Sequence, residues 1–242
     1  MKGKGNTHKF NTGDFSVVLG VHDLSKFWEN EEGRSTACAN TIHIHPDWNV
    51  HVDSWDADIA VLELVNEVQF NKFIRPICIA DRKSEVAKAQ SGTVVGFGKT
   101  ENGRISDIAN KLDIPIYDYL NCTEHSEQHR SLVSHRTFCG GPADGRGVCL
   151  GDSGGGVYVS HNRRFYLRGL VSASLFNAVQ QCDVDRDAIF TDATKFYGWI
   201  ESGGLDVHAA NRSGQRSKRG SNQTETYSHG NPKKEIKFIE IF

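Results

Sequence analysis

The 242-residue sequence lacks any apolar run near the roughly 20 residues that a helix needs to cross a membrane. It also lacks a strong net charge, which is −2, so neither nucleic acid nor a membrane surface is expected as a partner. No two cysteines have the C-x-x-C spacing typical of metal and redox sites, and we predict no metal and no cofactor. The length suits one large all-β domain or two small ones.

The cysteines indicate an oxidising compartment. There are six of them, and an even number without metal spacing favours disulfides, although scattered buried thiols in a cytosolic protein are the alternative. Three glycosylation sequons, at Asn121, Asn211 and Asn222, also favour secretion. The basic N-terminal segment, however, is not followed by the apolar stretch of a signal peptide. We therefore expect an extracellular protein whose N-terminal part is missing from this chain.

Short apolar runs separated by turn residues predict an all-β fold. The runs are rich in Val, Ile, Phe and Tyr, and they suit a sandwich or barrel better than alternating strands and helices. One helix is predicted near 191–202, with Thr191 or Asp192 as its N-cap and Gly203-Gly204 as its end. Strands are predicted at 15–21, 41–45, 58–64, 92–98, 156–160 and 165–173.

The segment GVCLGDSGGGVYV, residues 147–159, contains a G-x-S-x-G pattern around Ser153. In an α/β-hydrolase this pattern needs a helix after the serine, and then an acid and a histidine further along the chain. Here a strand-like run follows, and the downstream histidines lie in a polar segment near the C-terminus. The pattern therefore does not favour the α/β-hydrolase fold.

Several motifs occur in a consistent order along residues 15–202. CLGDSGGG, LRGLVSAS and IFTDATKFYGWI, with DADIAVLEL and RPICIA before them, resemble chymotrypsin/trypsin-like serine proteases. VVLGVHDLSK is most similar to insect haemolymph cascade enzymes. The resemblance implies two six-stranded antiparallel β-barrels, the first incomplete here, and a C-terminal helix. We expect the first barrel and connection at 1–91, the second barrel and helix at 92–203, and a polar, disordered tail at 204–242.

The resemblance also implies catalytic roles for five residues. Ser153 would be the nucleophile, and the amides of Gly151 and Ser153 would form the oxyanion hole. Asp58, which lies 95 residues before Ser153, would orient a catalytic histidine with support from Ser172. Asp152 would pair with the N-terminal ammonium that zymogen cleavage creates.

A specificity pocket follows from the same resemblance. Gly147, six residues before the nucleophile, would form its base, and Ala173, Ser174 and Ala188 its walls. These residues imply an apolar-tolerant pocket for small or medium side chains. An alignment shifted by one residue would instead place Asp187 in the pocket and restore a preference for basic side chains.

The resemblance pairs the cysteines in part. It implies the disulfides Cys122–Cys139 and Cys149–Cys182, and it makes Cys78 similar to the cysteine that tethers the family's pro-segment. Cys38 has no counterpart. A Cys38–Cys78 bridge and separate bonds to other polypeptide both remain open.

The family's catalytic histidine motif, T-A-A-H-C, is absent from the sequence. His51 is the one candidate substitute, by proximity to Asp58, but it comes from the wrong element. An Ile-Val-Gly-Gly-like activation sequence is absent as well, and one lost block of polypeptide explains both absences. Asp58 is preceded by His8, His22, His43, His45 and His51, none of which stands in the motif.

Two functions are compatible with these features. The first is a secreted serine endopeptidase, truncated and inactive as written, that acts on protein substrates; other zymogens and serpin-type inhibitors are candidate partners. The second is a non-catalytic protease homologue that binds or regulates a partner. Such homologues usually lose one catalytic residue by substitution, whereas here a whole block is absent, which favours the first.

Overall fold

The computed structural model describes residues 12–14, 16–26, 32–49, 54–100, 102–125, 127–141, 145–175 and 182–205. The predicted all-β class is confirmed, and each of the six predicted strands is present. The strands are β1 Ser16–Leu19, β2 Ser35–Ile44, β3 Ala60–Leu64, β4 Ser91–Gly96, β5 Asn110–Asp118, β6 Thr137–Gly140, β7 Gly156–His161, β8 Arg164–Ala173 and β9 Ala188–Asp192; the helices are α1 Tyr119–His125 and α2 Tyr197–Glu201.

Strands β4 to β9 form a closed antiparallel barrel in the order β4-β5-β6-β9-β8-β7. The barrel closes where β4 pairs with β7, with Thr93 opposite Tyr158 and Val94 opposite Val157. Because each strand has a neighbour on both sides, the barrel has no open strand edge.

Apolar side chains fill this barrel. Phe138 and Phe190, which face each other across the β6–β9 pair, stack with their ring centroids 5.1 Å apart. Burying a side chain of this size contributes about 1.5–3 kcal/mol. The buried cluster consists of Val94, Ile114, Ile116, Phe138, Val148, Val157, Val171, Ala188 and Phe190.

The N-terminal strands form an open sheet in the order β1-β2-β3. Its small core contains Val17, Ala39, Leu62 and Leu64. The fold therefore combines one closed six-stranded barrel with a three-stranded sheet. The exact boundaries at residues 91 and 203 stay predictions, and the predicted tail from residue 206 onward lies outside the described residues.

The predicted C-terminal helix is divided into two pieces. A 3₁₀ turn at Ala193–Phe196 leads into α2. Asp192 is the N-cap, with Oδ1 accepting a hydrogen bond from the Thr194 amide at 3.1 Å. Thr191 is not the cap, because its hydroxyl donates to the Asp58 carbonyl instead of capping the turn. None of the described helices is long and apolar enough to span a membrane.

The disulfides Cys122–Cys139 and Cys149–Cys182 are both present in the structure. Cys38 is exposed on β2 and unpaired, and the half-buried Cys78 is also unpaired. A Cys38–Cys78 bridge is therefore not formed. Both disulfides lie in the part of the chain that contains the barrel.

Candidate active site

Ser153 lies in a tight turn that precedes β7. The Asp152 amide donates to the Cys149 carbonyl at 3.0 Å and closes a four-residue turn whose third residue, Gly151, has φ +95°. A type II turn needs this positive φ, which glycine adopts without steric cost. A Cβ atom on Gly151 would also approach Ile105 Cδ1 to 2.8 Å. The turn geometry and the close packing both require glycine at position 151.

The same turn presents free hydrogen-bond donors beside the exposed Ser153. Among the residues that the structure describes, the backbone N–H groups of Gly151 and Ser153 have no hydrogen-bond partner. After the serine, the Gly154 amide donates to the Val171 carbonyl at 2.8 Å, and the Val171 amide donates to Gly155 at 2.8 Å. These bonds fasten the turn to β8. Two unpaired amides next to a hydroxyl are a suitable site for a developing oxyanion.

Asp58 lies at the same end of β8. Its carboxylate Oδ2 accepts a hydrogen bond from Ser172 Oγ at 2.7 Å, and its backbone carbonyl accepts one from Thr191 Oγ1 at 2.8 Å. Burial raises the pKa of the Asp58 carboxyl, and the Ser172 hydrogen bond offsets part of that rise. Because Ser172 follows Val171, the structure places Asp58 and the Ser153 turn against adjacent residues of one strand.

Asp152 points into the protein. Its carboxylate accepts hydrogen bonds from the Gly98 amide at 2.8 Å and from the Cys149 amide at 3.0 Å. A Cβ atom on Gly96 or Gly98 would overlap this carboxylate, so both glycines make room for it. Burial raises the pKa of Asp152, and the two amides partly oppose the rise. No cation pairs with Asp152 in the described part of the chain.

A large cavity opens beside the Asp152 carboxylate. Apolar side chains of the barrel form part of its wall, and lysines from two neighbouring segments also line it. The cationic residues of the lining are Lys99, Lys111 and Arg146. The lining includes Val94, Lys99, Lys111, Leu112, Val148 and Asp152.

Three of the four expected pocket residues line one small cavity: Gly147, Ser174 and Ala188. Ala173 instead packs against the buried cluster of Cys122, Cys139 and Ile189. The lining also contains an ion pair that sequence reasoning missed, between Arg186 and Asp183, whose Nε and Oδ2 atoms are 3.1 Å apart. In the sequence, these two residues are recognisable only as charged residues that follow Cys182.

The alternative alignment would place the Asp187 side chain in this pocket. Asp187 is buried and does not belong to the cavity lining, and its backbone carbonyl accepts a hydrogen bond from His129 Nε2 at 3.0 Å. Within the described residues, Gly147 and Ala188 thus contribute to the cavity whereas Asp187 does not.

None of the described histidines contacts Asp58. His22 lies near Ala109, whose amide donates to the His22 carbonyl at 3.0 Å. His43 faces Glu63, and His45 packs edge-on against Phe196 and Trp199. His8 and His51 lie outside the described residues. Ser172 is the only described side chain that forms a hydrogen bond with the Asp58 carboxylate.

The closed barrel, the serine turn and the half-buried Asp58 are together typical of a chymotrypsin-like protein. The family model named Trypsin matches residues 6–200. The chain belongs to this family of serine proteases, which act on protein substrates.

The relatives include insect and vertebrate proteins. Serine protease gd of Drosophila melanogaster is 35% identical over 227 residues, which cover 79% of this chain and 42% of that protein. Phenoloxidase-activating factor 1 of Holotrichia diomphalia is 35% identical, over 65% of this chain and 42% of that protein. Chymotrypsin-like elastase family member 1 of Canis lupus familiaris is 30% identical, over 78% and 71%. The chain spans about two fifths of the length of the first two relatives.

Proposed function

We propose that the chain is part of a secreted serine endopeptidase in which Ser153 is the nucleophile. The observation that carries this proposal is the pair of unpartnered amides, Gly151 and Ser153, beside an exposed serine hydroxyl. These donors would stabilise the oxyanion of the tetrahedral intermediate. Removing one such donor typically costs about 3 kcal/mol of transition-state stabilisation.

Asp58 would orient and stabilise the catalytic histidine. Its carboxylate is partly buried, and Ser172 fixes one of its oxygens at 2.7 Å. The sequence contains no T-A-A-H-C motif, so the histidine would come from polypeptide outside these 242 residues. Without that base, the family's chemistry predicts a loss on the order of 10⁶ in turnover, which would leave the chain as written inactive.

Asp152 would accept the ammonium group created by zymogen cleavage. The support is its inward carboxylate, held by two amides without a described cation, and the partly apolar cavity beside it. The pairing would replace a buried unpaired charge by an ion pair, which explains why cleavage would stabilise the turn at Ser153.

The pocket at Gly147, Ser174 and Ala188 would select the side chain before the cleaved bond. Its base has no carboxylate, and the nearby Arg186 is paired with Asp183, so we propose that it accepts small or medium uncharged side chains. Proteins named phenoloxidase-activating factors are among the relatives, which supports other zymogens as substrates, with serpin-type inhibitors as further partners.

A fluorophosphonate probe that reacts with activated serines tests the nucleophile. The chain alone should show no labelling above its Ser153→Ala variant. The same chain joined to an upstream segment that carries T-A-A-H-C, and cleaved at its activation site to free the N-terminal ammonium, should be labelled at Ser153, and Ser153→Ala should abolish the signal. If the folded, extended chain remained unlabelled, the endopeptidase proposal would be wrong. Ser153-dependent labelling of the chain alone would instead contradict its inactivity.

The second candidate is a non-catalytic homologue that binds a partner. One observation favours it, namely that no described histidine contacts Asp58. It predicts that N-terminal sequencing of the natural protein finds the start of the chain at Met1. A natural protein that begins further upstream, with the histidine motif in frame, favours the endopeptidase.

A further inference from the structure

The segment that leads to Asp58 has no regular secondary structure between residues 54 and 59. Its middle residue, Ala57, is fully buried and has φ +58°, a left-handed conformation that is unfavourable for a residue with a Cβ atom. Such a conformation persists only where the surrounding contacts determine it. The contacts on both sides of Ala57 must therefore hold Asp58 in place.

On the N-terminal side of Ala57, Arg136 donates two hydrogen bonds to the Asp56 carboxylate. Arg136 Nε donates to Asp56 Oδ1 at 2.9 Å, and Nη2 donates to Oδ2. Ser134 Oγ donates to Asp56 Oδ1 at 2.6 Å. Burial raises the pKa of Asp56, but the hydrogen bonds from Arg136 and Ser134 outweigh it and lower the pKa.

The guanidinium of Arg136 also contacts Asp47 and Phe196. Nη1 donates to Asp47 Oδ2 at 2.6 Å, and the guanidinium carbon lies 5.2 Å from the centroid of the Phe196 ring. The Asp56 and Asp47 carboxylates raise the pKa of Arg136, which stays charged. A planar guanidinium with several fixed donors suits this two-carboxylate arrangement better than a lysine would.

On the C-terminal side, the Asp58 carbonyl accepts its hydrogen bond from Thr191. Thr191 pairs with Thr137 in the β6–β9 ladder, and Arg136 immediately precedes Thr137. The Asp192 amide also donates to the Arg136 carbonyl at 2.9 Å. Arg136, which binds Asp56, and Thr191, which binds Asp58, therefore lie next to each other at one end of the β6–β9 ladder. The ladder sets the distance between these two contacts.

We propose that Arg136 is a positioning residue, which holds the Asp56–Ala57–Asp58 tripeptide against the barrel and so places the Asp58 carboxylate beside Ser172. The proposal rests on the proposed function only in treating Asp58 as catalytic. The positioning itself is a property of the folded chain and needs no peptidase activity.

The test is carboxyl NMR titration of Asp58 in the folded chain. If Arg136 acts by position, Arg136→Gln releases the tripeptide, Asp58 gains water, and its raised pKa falls toward the ordinary range. If Arg136 instead acts only through its charge, losing that charge raises the pKa of Asp58 further. A rise or an unchanged pKa would overturn the proposal.

A second variant keeps the test decisive if Arg136→Gln does not fold. Ser134→Ala removes one hydrogen bond to Asp56 and changes no charge, so we expect a smaller fall in the pKa of Asp58; an unchanged pKa would contradict the proposal. Lys72→Gln is the matched control. It also removes a cation that pairs with a carboxylate, Glu32, and lies over a ring, Phe73, but in a loop that forms no described hydrogen bond or ion pair with the tripeptide. Asp58 should titrate in this variant as it does in the unmodified chain.

Discussion

The barrel and the N-terminal sheet are built from the same kind of strand but differ in closure. Each barrel strand has two neighbours, and the barrel carries both disulfides and the buried pair Arg168–Asp192 at 2.5 Å. Within the described residues, the β1–β3 sheet has no further strand beside β1 or β3, and its cysteine, Cys38, is unpaired. Asp58, which precedes β3, forms its hydrogen bonds with the barrel residues Ser172 and Thr191.

The largest expected effect comes from the barrel core. Phe138→Ala removes a ring that is 1% exposed and stacks on Phe190, and it should lower the free energy of unfolding by about 3–5 kcal/mol. Leu62→Ala in the sheet should cost less, toward the lower end of about 2–5 kcal/mol, because its buried cluster has four members rather than nine. Hydrogen exchange distinguishes the two regions. Leu62→Ala should speed amide exchange in β1–β3 and leave β4–β9 protected. An equal loss of protection in the barrel would contradict the expected difference between the two regions.

A smaller effect is expected from the disulfide that adjoins the serine turn. Replacing Cys149 and Cys182 together by serine opens a loop with a sequence separation of 33, and it should cost about 2–4 kcal/mol in urea unfolding. Cys38→Ser is the matched change in the sheet. Because Cys38 is exposed and unpaired, its replacement should stay within about 0.5 kcal/mol. Similar costs for the two changes would show that the closed barrel does not depend on its bridge.

The smallest expected effect is a change in how stability depends on pH. The pKa of Asp152 is raised in the folded protein, so this group contributes stability at acid pH that is lost as the pH rises through the raised value. The pKa of Asp56 is lowered, so its contribution is present at higher pH and is lost as the pH falls through the lowered value.

Urea midpoints measured across the acid range check both signs. Asp152→Asn should remove the component that declines with rising pH, whereas Asp56→Asn should remove the component that grows with it. If both variants changed the pH dependence of stability in the same direction, the predicted difference between Asp152 and Asp56 would be wrong.

Local sequence patterns predicted six of the strands, since their Val-, Ile- and Phe-rich runs are long and bounded by turn residues. They missed three strands: β6, which has only four residues, β5, which contains Pro115, and β9, whose last two residues fall within the predicted helix 191–202. Proline usually argues against a strand, because it has no N–H to donate to the ladder. Pro115 is tolerated because it pairs with Ser91, the first residue of β4, at the end of that ladder.

The serine turn was visible in the sequence because glycine is required at fixed positions around Ser153. The hydrogen bonds of Arg136 were not visible in the sequence, since Arg136 lies 80 residues from Asp56 and 89 from Asp47. No periodicity or turn signal connects residues so far apart. The tertiary fold brings the arginine to the carboxylates, through the β6–β9 pairing and the hydrogen bond from the Trp55 amide to the Leu132 carbonyl. The roles of the individual site residues stay predictions until labelling and titration test them.

The contact between Ile105 and Gly151 couples a surface hairpin to the reactive turn. Lys99 pairs with Ile105 across this hairpin, and the Lys99 amide donates to the Leu150 carbonyl at 2.8 Å, one residue before Gly151. A backbone cut or an inserted residue between positions 99 and 105 would thus disturb the unpartnered amides of Gly151 and Ser153 from outside. If Ser153 is the nucleophile, as proposed, the length and integrity of that hairpin would adjust its reactivity without any change in the side chains of the site.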